Sequence, residues 1–241
     1  MKNFEEIYSE LNSVTMIITN RCNLACDYCF ERSKGNKDMT VETAIEIVDK
    51  TYNKLPTPSG RFTYNLFGGE PMVNWPVVKA ILDHIDEKNY NAQVGITTNM
   101  THLTDEMLDY IDDSDVFILA SIDGIKEVHD AHRVDHAGNG SFDIAIGNIK
   151  KMIDRGLAHL VEARMTITPE SAKYMYDGVK MLLDLGVNNI CPIAASDLEW
   201  DAQSLKEYEE NYNDYFDKEG RVYPLKKLTD THYVAMKGGE A

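Results

Sequence analysis

Three cysteines, Cys22, Cys26 and Cys29, stand close together near the start of the chain, in the segment Thr19–Glu31 (TNRCNLACDYCFE). The spacing C-x3-C-x2-C crowds soft sulfur donors onto one loop, and thiolates are the ligands that iron–sulfur clusters and many structural zinc sites use. A cubane cluster has four irons, so three thiolates leave one iron open to a substrate or cofactor, whereas four cysteines close it. A zinc site would need a fourth ligand, which Cys191 or a histidine could supply. Spacing alone leaves both metals standing.

A second group with chemical potential is Phe67–Pro71, FGGEP. Its glycines let the backbone approach another group closely, and the Glu70 carboxylate can accept from an ammonium group. Alone, such a segment is more often only a turn. Its weight comes from its place, at the end of the strand next after the cysteine loop.

Loops of this kind must be held on one face by regular elements. Val14–Thr19 (VTMIIT) is an apolar run of strand length, and Arg61–Phe67, Gln93–Thr98, Val116–Ile122, Leu160–Thr168 and Asn189–Ile193 follow it as strands. Between them lie helical patterns. One starts at about Thr40; Trp75–Glu87 carries Val77, Val78, Ile81, Leu82 and Ile85 on one stripe, with Pro76 in its first turn and Asn74 as its cap. Thr104–Ile111 is capped by Thr104, Ser141–Arg155 is ended by Gly156, and Glu170–Leu185 is closed by Gly186. Ala202–Lys218 is helical and dense in tyrosines and acids, its Glu207–Phe216 part reading as a solvated helix with an aromatic stripe turned inward. Six strand–helix units imply parallel strands joined by right-handed crossovers, either an open doubly wound sheet or a barrel-like (β/α)6 arrangement. In both, the working groups belong on loops after the strand C-termini. Residues 1–220 read as one domain without an internal boundary, and 221–241 as a C-terminal tail.

Composition narrows the partners. The chain of 241 residues is 43% hydrophobic and 27% charged, an ordinary globular balance, with 40 acidic against 24 basic side chains and a formal charge of −16. Such a surface repels phosphate backbones and anionic lipid, and the Lys226-Lys227 pair is the nearest thing to a basic patch, so neither nucleic acid nor membrane is expected. The N-terminal MKNFEEIYSELNS is acidic and amphipathic, unlike a secretory signal, and no apolar run approaches the ~20 residues of a membrane span. A cytoplasmic location is expected. There, crowded cysteines more often mean metal than disulfides.

With Tyr28 before its last cysteine, the cysteine motif resembles the signature of the radical S-adenosylmethionine (SAM) superfamily. The resemblance implies a [4Fe-4S] cluster on Cys22, Cys26 and Cys29, with SAM bound at the open iron. It further implies reductive cleavage to a 5′-deoxyadenosyl radical, fed by a low-potential donor such as flavodoxin or ferredoxin, and hydrogen abstraction from a substrate. Tyr28 then belongs to the cofactor surroundings, and Gly68, Gly69 and Glu70 match the superfamily's GGE segment that receives the methionyl amino group. Polar groups at later strand ends, Thr97-Thr98-Asn99 and Ser121-Ile122-Asp123-Gly124, could hold ribose hydroxyls or the cofactor carboxylate.

Ser121–Val134 (SIDGIKEVHDAHRV) resembles the SPASM-type subgroup, whose members modify peptides and proteins, and Gly138–Gly156 is similar to the loop and helix that follow there. By that resemblance Ser121 and Arg133 contact the cofactor, and a guanidinium suits a carboxylate. The likeness runs from about Ser13 to Ile193 and implies a partial (β/α)6 TIM-like barrel of parallel strands, α/β in class, acting on a peptide or protein residue. SPASM proteins carry further cluster-binding cysteines after this region; here none follows Cys191, so the chain is either a natural short form or a fragment. A glycyl-radical enzyme activase, a small-molecule radical SAM enzyme, and a non-catalytic cluster- or zinc-binding interaction module are the alternatives. Cys191, in the sixth strand, is the one candidate catalytic side chain, with a buried core cysteine as the plainer reading. His129, His132 and His136 read as a polar loop lining the active face rather than as a metal site.

Overall fold

The computed structural model describes residues 12–31, 35–54, 61–218, 226–229 and 232–236. Most of the amphipathic N-terminal stretch and much of the tail read above lie outside these residues. The chain forms two compact units. One comprises residues up to Asn23, Phe30–Thr98 and His102–Ile118; the other comprises Leu24–Cys29, Asn99–Thr101 and Leu119 onward.

The first unit is built from β1 (Ser13–Thr19), α1 (Val41–Lys54), β2 (Phe62–Gly68), α2 (Trp75–Glu87), β3 (Ala92–Thr98), α3 (Asp105–Asp112) and the start of β4 (Val116–Ser121). Its strands lie in the order β1-β2-β3-β4, and β2 runs parallel to both β1 and β3. Strand β2 shows why the sequence takes this form. Phe62, Tyr64 and Leu66 alternate into the core, and the Tyr64 hydroxyl, deep inside, donates to the Val48 carbonyl at 3.0 Å. Helix α2 buries Val77, Val78, Ile81, Leu82 and Ile85, the stripe its spacing predicts. Each such side chain contributes about 1.5–3 kcal/mol relative to exposure, so Ile81→Ala alone should cost about 2–5 kcal/mol.

The second unit holds the end of β4, then α4 (Lys126–His132), α5 (Phe142–Asp154), β5 (Val161–Ile167), α6 (Met175–Leu185), β6 (Asn189–Ala194), α7 (Ala202–Lys218), β7 (Lys226–Thr229) and β8 (His232–Met236). Its strand order is β4-β5-β6-β8-β7. Strands β5 and β6 are parallel; β8 pairs antiparallel with β6, and β7 with β8. Gly156 and Gly186, at φ +81° and +107°, end their helices in the left-handed conformation expected.

Three local expectations change. Thr104 caps α3 as read, accepting from the Met107 amide at 3.2 Å, but Asn74 does not cap α2. Its amide instead donates to the carbonyls of Ile18 and Met39, both at 3.1 Å, tying the end of β1 to the start of α1. The helix read as Glu170–Leu185 divides into a short 3-10 turn, Ala172–Tyr174, and α6, because Thr168 and Ser171 bond each other's backbone and side chain in a tight turn. Finally, His129 and His132 lie within α4 rather than on a loop, and His136 alone is exposed beyond it.

Candidate active site

In the first unit the cysteine loop begins where β1 ends. The Gly69 amide donates to the Thr19 carbonyl and the Glu70 amide to the Arg21 carbonyl, each at 2.8 Å. This contact explains both glycines. A Cβ on Gly69 would lie 2.1 Å from the Arg21 oxygen, and one on Gly68, whose φ is +135°, 2.2 Å from the Thr19 oxygen. The group that approaches these glycines closely is thus the chain's own loop backbone. Glu70 is buried, and its Oε1 accepts from the Met72 amide at 3.1 Å, capping the turn Pro71–Asn74. Arg21, next to Cys22, forks onto Asp38 through Nε at 2.9 Å and Nη2 at 2.7 Å, and the Thr19 hydroxyl donates to the same carboxylate at 2.6 Å. Cys22 itself is half-buried and in no disulfide.

Cys26 and Cys29 belong to the second unit, where both are half-buried and free of disulfides. Residues 24–29 are pinned by backbone bonds to the segment after α4: Ala25 donates to Val134 at 2.8 Å, Asp27 to His132 at 3.4 Å, and Leu24 bridges Asp135. The Tyr28 hydroxyl turns inward and donates to Asp123 Oδ2. Asp123 is fully enclosed. Its Oδ2 also accepts from Arg133 Nε at 2.8 Å, while Oδ1 accepts from Arg133 Nη2 at 3.0 Å and from the Thr166 amide at 2.8 Å. Burial alone would raise the Asp123 pKa, but Arg133 beside it, with the bonds from Arg133 and Tyr28, holds it below the ordinary carboxylate range. Burial likewise opposes the Arg133 charge, and the Asp123 carboxylate more than restores it. Burial keeps the Tyr28 hydroxyl well above its ordinary pKa, so it remains a donor.

The other residues singled out by the sequence have clear places. Ser121 is half-buried at the last position of β4. Asn99 is buried, and its Oδ1 accepts from the amide and hydroxyl of Thr101 at 2.9 and 2.6 Å, building an Asx turn. Cys191 is buried in β6, where burial and then Glu162 push its thiol up to about 11, a poor setting for a thiolate. His132 meets Asp27 at 3.0 Å and packs against the Tyr28 ring. His129 is wholly buried. Its Nδ1 accepts from the Asp123 amide at 3.3 Å, and the Ser141 hydroxyl spends its proton on the Arg133 carbonyl at 2.6 Å, so His129 Nε2 must be the donor to Ser141 at 3.0 Å. Burial, then Arg133, lowers its pKa to about 4, in keeping with that neutral tautomer. In sequence Asp123 stood only among the polar groups at strand ends that could hold the cofactor, and nothing there signalled its bonds to Tyr28, Arg133 and the Thr166 amide.

Among the described residues no three His, Cys, Asp or Glu side chains are grouped tightly enough to hold a metal ion. The donor set nonetheless suits an iron–sulfur cluster: three half-buried cysteines, in no disulfide, on one short loop after a strand.

This chain belongs to the radical SAM superfamily, which it matches along residues 16–189. It is therefore a radical SAM enzyme, of a family that uses a [4Fe-4S] cluster with S-adenosylmethionine. An uncharacterized protein of Methanocaldococcus jannaschii is 30% identical to it, over 92% of this chain and 78% of that protein. AlbA, the antilisterial bacteriocin subtilosin biosynthesis protein of Bacillus subtilis, is 30% identical over 71% of this chain but 37% of its own length. The cysteine-type anaerobic sulfatase-maturating enzyme of Clostridium novyi is 27% identical over 58% of this chain and 40% of that enzyme. The chain thus spans well under half the length of these two biosynthetic relatives. Among solved structures, native anSMEcpe with bound AdoMet superposes with a TM-score of 0.76 at 18% identity, covering 87% of this chain and 61% of that one. That likeness establishes the fold, the α/β partial (β/α)6 TIM-like barrel expected from the sequence.

Proposed function

We propose that this radical SAM enzyme modifies a residue within a peptide or protein. One observation carries the reading of the site: the cysteine loop follows β1 directly and is stitched by two backbone hydrogen bonds to Gly69 and Glu70 at the end of β2. In the proposed holoenzyme Cys22, Cys26 and Cys29 ligate the cluster. When bound, the cluster and S-adenosylmethionine supply reductive sulfonium cleavage and a 5′-deoxyadenosyl radical that abstracts hydrogen. The chain's own side chains bind and orient. Gly68, Gly69 and Glu70 receive the methionyl amino group, and Asn99 and Ser121 bound the cofactor at the strand ends. Tyr28 closes the loop beside it. Among the described residues Arg133 bonds Asp123 and Thr166 through Nε and Nη2, and its Nη1 edge takes the cofactor carboxylate. A low-potential protein such as flavodoxin or ferredoxin supplies the electron.

The peptide or protein substrate is supported by relatives whose names describe bacteriocin biosynthesis and sulfatase maturation, and by the likeness of Ser121–Val134 to the subgroup of peptide-modifying enzymes. The test has two stages. Anaerobic reconstitution with iron and sulfide, dithionite reduction and added S-adenosylmethionine should release 5′-deoxyadenosine, and a Cys26→Ala control should not. Mass spectrometry of short peptides encoded beside this chain should then show a mass change that depends on both cluster and cofactor. Cofactor cleavage accelerated by a small metabolite, with every neighbouring peptide left unchanged, would overturn the substrate assignment.

A further inference from the structure

We propose that Asp123 is a positioning residue for the cysteine loop: its carboxylate fixes Tyr28, which sits between Cys26 and Cys29, and holds Arg133 beside the same loop. The proposal deepens the functional reading above and rests on it for the identity of the cluster ligands.

The geometry converges on this one side chain. Tyr28 from the loop, Arg133 from the end of α4 and the Thr166 amide from β5 all donate to Asp123, so its carboxylate joins three separate segments at the end of β4. The backbone around Asp123 is itself fixed. Gly124 follows it at φ +87°, and a Cβ there would come 2.6 Å from the Gly178 Cα. The Asp123 amide is held by His129, and His129 in turn by Ser141, which grips the Arg133 carbonyl. The carboxylate is therefore presented by a framework with little freedom of its own.

Loop residues 24–29 depend on that framework twice over. Directly, Tyr28 hangs from Asp123 by its hydroxyl, with the Arg133 guanidinium 5.4 Å from its ring centre. Indirectly, the backbone bonds of Leu24, Ala25 and Asp27 all run to residues 132–135, the segment whose place Arg133 sets by reaching back to Asp123. A plain core ion pair would do none of this, and a buried pair is seldom more stabilising than apolar side chains of the same volume. What the ionic arrangement adds is a defined position for the loop.

The test compares full-length wild type with Asp123→Asn and with Tyr28→Phe, which deletes one hydroxyl and leaves the Asp123–Arg133 pair intact. Amide hydrogen exchange on the iron-free chain, read by mass spectrometry, should show residues 24–29 exchanging about tenfold faster in both variants, as expected for a lost buried hydrogen bond. In Tyr28→Phe, which keeps the buried Asp123–Arg133 pair, the β6 amides in the same unit should be unchanged. Adding Tyr28→Phe to Asp123→Asn should bring little further acceleration, because the two share one bond. On reconstitution, iron per chain should fall in step with loop exchange. Wild-type exchange at 24–29 in Tyr28→Phe would overturn the proposal. So would acceleration in Tyr28→Phe spread evenly over the unit, or two fully additive effects. Failure of the wild-type chain to take up iron would instead count against the cluster reading, while the exchange result stands apart from it.

Discussion

Each unit contains an arginine that forks onto an aspartate beside its part of the cysteine loop, and the two forks have nearly the same geometry. Arg21 reaches Asp38 at 2.9 and 2.7 Å; Arg133 reaches Asp123 at 2.8 and 3.0 Å. Their surroundings differ completely. The Arg21 and Asp38 side chains are 40% and 39% exposed, whereas those of Arg133 and Asp123 are 9% and 0% exposed. Water and salt compete with the first fork at every moment, so its attraction is largely screened. The second has exchanged hydration for a closed set of hydrogen bonds, so removing one partner strands a buried charge. Distance alone therefore says little about what an ion pair does for a loop; burial decides it.

The largest predicted effect follows from that contrast. Asp123→Asn should destabilise the chain by about 3–5 kcal/mol in urea unfolding, the cost of a buried guanidinium left without its carboxylate. High salt should not relieve it. A loss below about 1 kcal/mol would mean that the Asp123 site is open to water after all, and the contrast between the forks would collapse.

Next in size is a pH effect in the same unit. His129 has a pKa lowered to about 4, by burial and then Arg133, while Asp123, Asp130 and Lys126 are the other charged groups acting on it. The unfolded chain binds this proton first as pH falls, since a free histidine titrates near 6.5. The stabilising contribution is thus complete above about pH 6.5 and is lost as pH drops through about 4. It is on the order of 3 kcal/mol. Thermal melts of wild type and His129→Gln across that range should converge toward the acid end. Parallel curves would show that His129 is not held neutral in the fold.

These two residues also mark where the sequence stops being legible. The strands and the buried stripe of α2 could be read because periodicities of two and of three to four residues are local properties of the chain. The Thr104 cap was readable for the same reason, since its partner lies three residues on. The cysteine loop and the GGE turn were legible as spacing. What holds them was not. Tyr28 meets Asp123 across 95 positions and Arg21 meets Asp38 across 17, and no local pattern specifies either contact. Asn74 looked like a helix cap because its short-range context fits one, yet its amide serves carbonyls 56 and 35 positions away. The three histidines looked alike in sequence, but burial separates His129, a structural link, from exposed His136.

The smallest effect completes the contrast. Asp38→Asn removes the carboxylate that Arg21 and Thr19 share at the start of the cysteine loop, and Thr19 keeps its hydroxyl as the acceptor for the Arg21 amide at 3.0 Å. Arg21, exposed, regains water in place of its partner, so the melting temperature should fall by no more than about 2 °C at low salt. In about 1 M salt, where the screening length shrinks to about 3 Å, the difference from wild type should vanish. Salt would then sort the two forks: the open one answers to it and the enclosed one does not. If Asp38→Asn instead cost as much as Asp123→Asn and kept that cost in high salt, the backbone bonds from Gly69 and Glu70 to the loop would have to depend on Asp38. Exposure would then be a poor guide to which fork anchors the cysteines, because a solvent-facing carboxylate would be holding the stitched strand ends together.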